Sequence, residues 1–488
     1  MVIFMKDYFE EFKPIRNKLR DLNVFDTLKF VRENIQSSSI EKLISPSEVD
    51  FLIVNSIIYS SELPCSNKID DVKHQKLLEL IRSLNEKVSQ SNIYIDPWLW
   101  LNSEYHNQTK QNNSSFYAKV YRYYRIFNND IIRNHIESKI GISYHEFMVS
   151  SLWLYSVFMK SNGFCVKKAY FNNLQSKFVN TPFAKVNKVL NILSKPLAEL
   201  KEELKKTTSY KNETIFNFSY SPHIQFPIIE YLDDLYCTTP NYLLTQLTSG
   251  MYYIADIPNA NIANDFGKGF ENYVGEILSI NNKNMNLIIL PEIIYSNGQK
   301  RTSDWIIIDD SNLILLECKT NRLRYQSKYQ LSLNELEYTN KSDLGEDLKK
   351  LVSAVVQLYK VYFDYKSGII PDLPFNANKK FTPIVITLEE WFADNPVIDE
   401  RICNLVKREL NNHEIDPNIV DFNRYKIISI ETFEKEIQIM SKEGLSEYFS
   451  LLSTGKLDSE YRKNFTYFDY FSDEFKADFI KPNLYNDK

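Results

Sequence analysis

The sequence predicts an α/β fold: a mixed sheet flanked by helices, set behind a large, mostly α-helical N-terminal domain. Three observations carry this. Residues 1–210 are dominated by apolar residues at helical spacing. Two apolar, β-branched runs, Ser303-Asp304-Trp305-Ile306-Ile307-Ile308 and Leu313-Ile314-Leu315-Leu316-Glu317-Cys318-Lys319, read as strands covered on both faces. Around them the order is helix, three strands, helix, strand.

In the N-terminal part, helices are expected over 5–36 (broken near Pro14 and again around 22), 46–60, 68–90, 115–138, 143–160 and 183–206. Pro46-Ser47-Glu48 and Asp96-Pro97 are helix-start signals. Residues 107–115 form a polar loop, and 207–213 a linker. The stretch 117–125, YAKVYRYYR, interleaves tyrosine with lysine and arginine. That mixture suits stacking on bases and contact with phosphates. It equally fits an amphipathic helix with core tyrosines and solvated arginines.

Residues 215–260 turn irregular or β-like, with a short strand at 226–229. Asp233 and Asp234 lie there, as a solvated turn or a cation contact. A helix at 264–280 follows, then a strand at 287–295 and the two hairpin strands. A helix at 345–364, a strand at 381–388 and another at 425–430 complete the sheet region. The expected divisions are 1–210 helical, 211–260 junction, 261–435 α/β, and 436–488 a helical and irregular extension.

Composition narrows the function. The net charge is −5, so the chain is no uniformly basic nucleic-acid coat. Residues 1–240 carry 30 Lys+Arg against 26 Asp+Glu, leaving 28 and 37 of the totals 58 and 63 for the rest. An acidic C-terminal half suits a cation; a mildly basic N-terminal half suits a polyanion. Glycine is scarce, and neither GxGxxG nor GxxxxGK[ST] occurs, which disfavours a nucleotide-hydrolysing motor. The five cysteines are dispersed without a CxxC pair, as expected of reduced thiols in a cytoplasm. The six histidines form no zinc-hydrolase pattern. No apolar run approaches the roughly 20 residues of a membrane span, so no membrane partner is expected.

The hairpin carries the chemistry. With Asp309-Asp310-Ser311-Asn312 as a plain four-residue loop, Ile308 pairs with Leu313 and Trp305 with Leu316. Asp304 then falls opposite Glu317 on one face, and Lys319 points the same way while Cys318 points the other. A bulge would break that register. The competing reading is a surface hairpin with a cross-strand salt bridge, which contributes little.

This ordered set resembles the PD-(D/E)XK nuclease superfamily, the restriction-endonuclease-like fold. Asp304 matches the first acid, Glu317-Cys318-Lys319 the (D/E)XK, and Phe270-Glu271 the Glu-bearing helix before the hairpin. Ser303 stands where the motif's name has proline, a position that varies in the family. The resemblance covers roughly residues 262 to 390, about a quarter of the chain. It implies an αβββαβ nuclease core and hydrolysis of phosphodiester bonds with Mg²⁺, for which Mn²⁺ can substitute. Asp304, Glu317 and the Cys318 carbonyl are the expected metal ligands. Lys319 is expected to orient or deprotonate the attacking water, or to stabilise charge on the phosphate, and Glu271 to support it.

Glu271 lies about 90° from the centre of its helix's apolar stripe and Glu276 roughly 130°, so Glu271 is the better placed of the two. Gln357, on the later helix, is a further candidate, although it sits across from the apolar face Leu348, Leu351, Val352, Val355 and Tyr359. Lys300, Arg301, Arg322, Arg324 and Lys328 flank the hairpin as candidate phosphate contacts. The resemblance points to DNA ahead of RNA, and to a bacterial restriction or anti-phage setting in the cytoplasm. The N-terminal helices are candidates for binding a partner protein or a second copy. The alternative is a catalytically inactive, nuclease-like binding or scaffold subunit.

Overall fold

The computed structural model describes residues 9–36, 44, 46–62, 70–95, 116–160, 163–177, 185–207, 222–282, 287–323, 343–391, 393, 396–454 and 456. Helices of eight or more residues begin with α1 (Phe9–Arg20), α2 (Val24–Gln36), α3 (Pro46–Tyr59) and α4 (Asp71–Ile95). These pack with a later helix around Phe12, Phe25, Leu52, Ile57 and Leu77. The break expected near 22 is present, but Pro14 lies inside α1 and does not interrupt it.

Next come α5 (Phe116–Phe127), α6 (Asp130–Ile140) and α7 (Tyr144–Met159). The single helix expected over 115–138 is two, because Asn129 stops one and caps the next, accepting from the N–H of Ile131 at 2.9 Å. Ser143 and Glu146 form a reciprocal capping box at the start of α7. Then follow β1 (Cys165–Lys167), α8 (Lys168–Lys177), α9 (Val186–Leu193), β2 (Ser194–Pro196) and α10 (Leu197–Thr207). The helix expected over 183–206 is thus divided by a short strand.

Strands β3 (Ile228–Tyr231) and β4 (Asp234–Tyr236) join β1 and β2 in a four-stranded sheet of order β1-β4-β3-β2. Asp233 lies in the turn between β3 and β4, whereas Asp234 opens β4 and binds Lys167 Nζ at 2.8 Å.

The second half opens with α11 (Ala263–Asn282), β5 (Ile288–Pro291), β6 (Ile294–Tyr295) and β7 (Lys300–Arg301). The hairpin strands are β8 (Trp305–Ile308) and β9 (Asn312–Lys319). After them come α12 (Asp343–Lys366), β10 (Lys380–Thr387), α13 (Pro396–Asn412), β11 (Lys426–Ser429), α14 (Ile430–Glu443) and α15 (Leu445–Ser453). The main sheet has the order β11-β10-β9-β8-β5. β5, β8 and β9 run antiparallel; β9, β10 and β11 run parallel. The sheet is mixed and flanked by helices, as expected. Pro383 is tolerated because it stands one residue before the β11 ladder begins, where β10 has a neighbour on one side only.

Both faces of the sheet are buried, which explains the unbroken apolar runs. Ile307, Ile314, Leu316 and Ile386 face a core with α5, α11 and α14; Ile306, Leu315, Phe381 and Val385 face one with α12 and α13. The first of these cores is shared with residues well upstream, including Tyr123, Phe127, Phe147 and Leu247.

A buried ion pair helps to tie the two halves. Arg122 on α5 donates from Nε and Nη2 to the two oxygens of Glu434 on α14, at 2.7 and 2.6 Å, and Tyr273 of α11 donates to the same carboxylate at 2.7 Å. All three side chains are buried. Removing one partner of such a pair strands a charge. Arg122→Ala is therefore expected to cost roughly 3–5 kcal/mol in denaturant unfolding. A loss below about 1 kcal/mol, the range of an exposed pair, would contradict it. For the same reason a fragment starting near residue 240 is expected to fold poorly.

Candidate active site

The expected hairpin register is found: Ile308 faces Leu313 and Trp305 faces Leu316, with no bulge. Asp304 lies just beyond the last ladder pair, where its Oδ2 accepts from the backbone N–H of Cys318 at 2.7 Å. The chain leading into it is pinned by two buried hydroxyls. Thr302 Oγ1 accepts from the N–H of Ile293 at 2.8 Å, and Ser303 Oγ donates to the Trp305 carbonyl at 2.9 Å.

Glu317 is only 2% exposed. Lys319 Nζ donates to its Oε1 at 2.7 Å, and Gln357 Nε2 to its Oε2 at 3.3 Å. Gln357 therefore reaches the site. Its distance from the apolar stripe does not turn it fully to solvent: Gln357 is half-buried between the buried Val356 and Leu358, while the exposed positions of α12 include Lys349, Lys350, Ser353 and Phe363.

Glu271 is brought in by α11. Trp305 Nε1 donates to the Glu271 carbonyl at 3.1 Å. The indole lies on Gly275, where an added Cβ would fall 2.1 Å from Trp305 Cζ2. A second close approach, Gly269 against the Ile126 carbonyl, seats the other side of α11 on α5; a Cβ there would fall 2.4 Å from that oxygen. These approaches explain two glycines inside a helix that glycine would otherwise weaken. Glu276 does not face solvent as expected: Tyr121 and Arg125 of α5 bind its two oxygens, each at 2.9 Å.

The electrostatics follow from burial. Burial pushes the Asp304 carboxyl up to about 6, opposed by the Cys318 N–H and reinforced by the Glu271 charge. Burial likewise pushes Glu317 up to about 7; the Asp304 charge adds to this and Lys319 opposes it. Burial would lower Lys319, but Glu317, through its charge and hydrogen bond, and Asp304 hold it above the ordinary lysine value.

Two groups escaped the sequence reading. Glu292, directly after β5, adds its charge to the field at Asp304. Lys268, one helical turn before Glu271, binds Glu271 Oε2 at 2.7 Å and feels Asp304 and Glu292. The i, i+3 spacing of Lys268 and Glu271 was the available signal for the latter.

The candidate phosphate contacts fare differently. Arg301 is exposed, 3.4 Å from Glu292. Lys300 is committed to Asp364. Arg324 and Lys328 lie outside the described residues. Arg322 is not a free rim cation. Its side chain is 6% exposed, with Nε 3.3 Å from Glu389, Nη1 donating to the Ser249 carbonyl at 3.2 Å and Nη2 to Tyr123 Oη at 3.3 Å. Its removal should loosen the core and leave the salt dependence of binding alone. The 117–125 stripe is likewise mostly structural: Tyr121 and Tyr123 are core, Arg122 is buried against Glu434, and the half-buried Arg125 is paired with Glu276.

Among the described residues no group of three or more His, Cys, Asp or Glu side chains forms a metal cage. The donor set is smaller and hard: two carboxylates whose burial and mutual repulsion leave negative charge undercompensated, beside the edge occupied by Cys318. That set fits Mg²⁺, which keeps waters and takes one or two carboxylates. Compared with protein-family models, curated proteins and solved structures, the chain has no match. Among the described residues no helix is long and apolar enough to cross a membrane.

Proposed function

We propose that this chain is a Mg²⁺-dependent nuclease that hydrolyses phosphodiester bonds, with DNA as its leading substrate. The observation that carries the reading is the buried Asp304–Glu317 pair with Lys319 at the end of a central hairpin. The order of helix, three antiparallel strands, helix and parallel strand around it supports the resemblance to the PD-(D/E)XK superfamily.

Asp304, Glu317 and the Cys318 carbonyl would hold the ion, which when bound polarises the phosphate and activates a water. Glu317 fixes the Lys319 ammonium at 2.7 Å, aimed along the same face. From there Lys319 can donate to a phosphate oxygen or to the attacking water. Gln357 holds the second Glu317 oxygen and so fixes the carboxylate plane. Glu271 adds negative charge beside the pair, which strengthens the site's demand for a cation. The helical N-terminal part is a candidate surface for a partner protein or a second copy. A cytoplasmic restriction or anti-phage role is the setting that the resemblance suggests.

Incubation of the purified protein with linear, circular and single-stranded DNA and with RNA, in Mg²⁺ or Mn²⁺, tests the reading. Products from DNA by wild type, and none by Asp304→Asn, are expected. Cutting of RNA alone would move the substrate class. Intact substrates throughout, with nucleic acid still bound, would favour the inactive scaffold.

A further inference from the structure

Resting on the nuclease reading, we propose that Lys119 and Tyr253 form a second contact for a single-stranded stretch of nucleic acid, a phosphate against the Lys119 ammonium and a base against the Tyr253 ring.

The site is organised by Arg322. Its guanidinium lies 4.3 Å from the ring centre of Tyr252 and 5.3 Å from that of Tyr253. Tyr252 and Tyr253 meet edge to face at 5.3 Å, and Tyr252 packs on Phe266 in the core. Tyr253 is thus a rigidly backed ring, yet it is 62% exposed. An exposed aromatic face held in place by a cation beneath it is the element that single-strand binders use for stacking, and it tolerates any base.

Lys119 supplies the charge. It stands one turn before Tyr123 on α5, on the same helix face, and Tyr123 accepts from Arg322. Among the described residues Lys119 has no hydrogen bond and no ion pair. Burial lowers its pKa from the ordinary lysine value; the charges of Glu389 and Glu431 oppose this, and those of Arg122 and Arg322 reinforce it. Arg122 is taken by Glu434, and Arg322 lies 3.3 Å from Glu389. Lys119 is therefore the cation of this cluster left to meet an outside anion. The amine is partly buried, so a phosphate there would be less screened than at an open surface.

Position links this cluster to the candidate active site. Arg322 follows Lys319 by three residues, placing their Cα atoms within roughly 11 Å. Glu389, beside Arg322, is two residues past Thr387, which pairs with Lys319. A strand crossing the end of β9 could meet Lys319 and this cluster together. The carbonyl of Ser249 that holds Arg322 is presented by a wide turn, Gln246–Gly250, broken at Thr248 (φ −111°, ψ −106°).

The test is binding of a labelled single-stranded oligodeoxynucleotide and of its duplex by the full chain, with Ca²⁺ replacing Mg²⁺, over a series of salt concentrations. Tyr253→Ala is expected to weaken single-strand binding by about 5- to 100-fold, and Tyr253→Phe to retain it. Lys119→Ala should weaken binding several-fold and reduce the salt slope by about 0.7. Because Tyr253 is exposed, its variants decide the matter even if Lys119→Ala folds poorly. If wild type binds and cuts DNA while Tyr253→Ala and Lys119→Ala bind single strands as tightly and with the same slope, this contact does not exist and the nuclease reading stands. If wild type binds no nucleic acid, both fall.

Discussion

Asp304→Asn is expected to reduce Mg²⁺-dependent cleavage to background while leaving the fold intact or more stable. The first half follows from the loss of a carboxylate that the ion requires. The second follows from burial. In the unfolded chain Asp304 and Glu317 titrate near ~4; in the fold they are pushed up, to about 6 and about 7. The native state thus binds more protons than the unfolded state between those values. The pair's contribution to metal-free stability is full below about pH 4 and is lost as pH rises through about 6 to 7. Raising a carboxyl's pKa by one costs about 1.4 kcal/mol once the group must ionise, so the loss in wild type is a few kcal/mol. Asn at 304 carries no charge to bury and lets Glu317 ionise without a neighbour. At about pH 8 the metal-free variant should therefore melt at or above the wild-type temperature, and below about pH 4 the gap should close. Mg²⁺ should raise the wild-type melting temperature at about pH 8, raise it less in acid, and leave the variant unmoved. A variant that melts well below wild type at every pH would show that Asp304 is a structural rung through its bond to Cys318 and little else.

Lys319→Ala should lower single-turnover cleavage by on the order of 10² or more while affinity for DNA in Ca²⁺ stays near wild type. Glu317 holds the ammonium at 2.7 Å; on the proposed reading it serves the scissile phosphate or the attacking water, so its loss removes an interaction made mainly in the transition state. Lys319→Arg should not restore the rate, because a planar fork puts its charge elsewhere than a compact ammonium. If Lys319→Ala cuts at the wild-type rate with saturating substrate, Lys319 merely neutralises Glu317.

The main sheet and the charged end of its hairpin were legible because local and global signals agree there. Continuous apolar runs meant burial on both faces, the Asp309–Asn312 cluster set the register, and the register brought Asp304 to Glu317. What was not legible depends on packing across long sequence distances. Arg322 reads as a flanking cation in sequence; only α5 and the 246–253 segment, more than 60 residues away, bury it. Gln357 reads as facing away from the core, because one helix's periodicity does not reveal that the end of β9 brings Glu317 within its reach. Arg122 and Glu434 are individually ordinary and become informative only as a pair. Short strands such as β1 and β2 were missed because three residues carry too little periodicity to outweigh adjoining helices.

The most direct measurement is cleavage of end-labelled linear DNA by wild-type protein stripped with excess EDTA and then titrated with Mg²⁺. Cleavage should vanish in EDTA, return as Mg²⁺ is restored, and remain absent throughout in Asp304→Asn. Cleavage that persists in excess EDTA would contradict the assignment of Asp304 and Glu317 as a cation-dependent site.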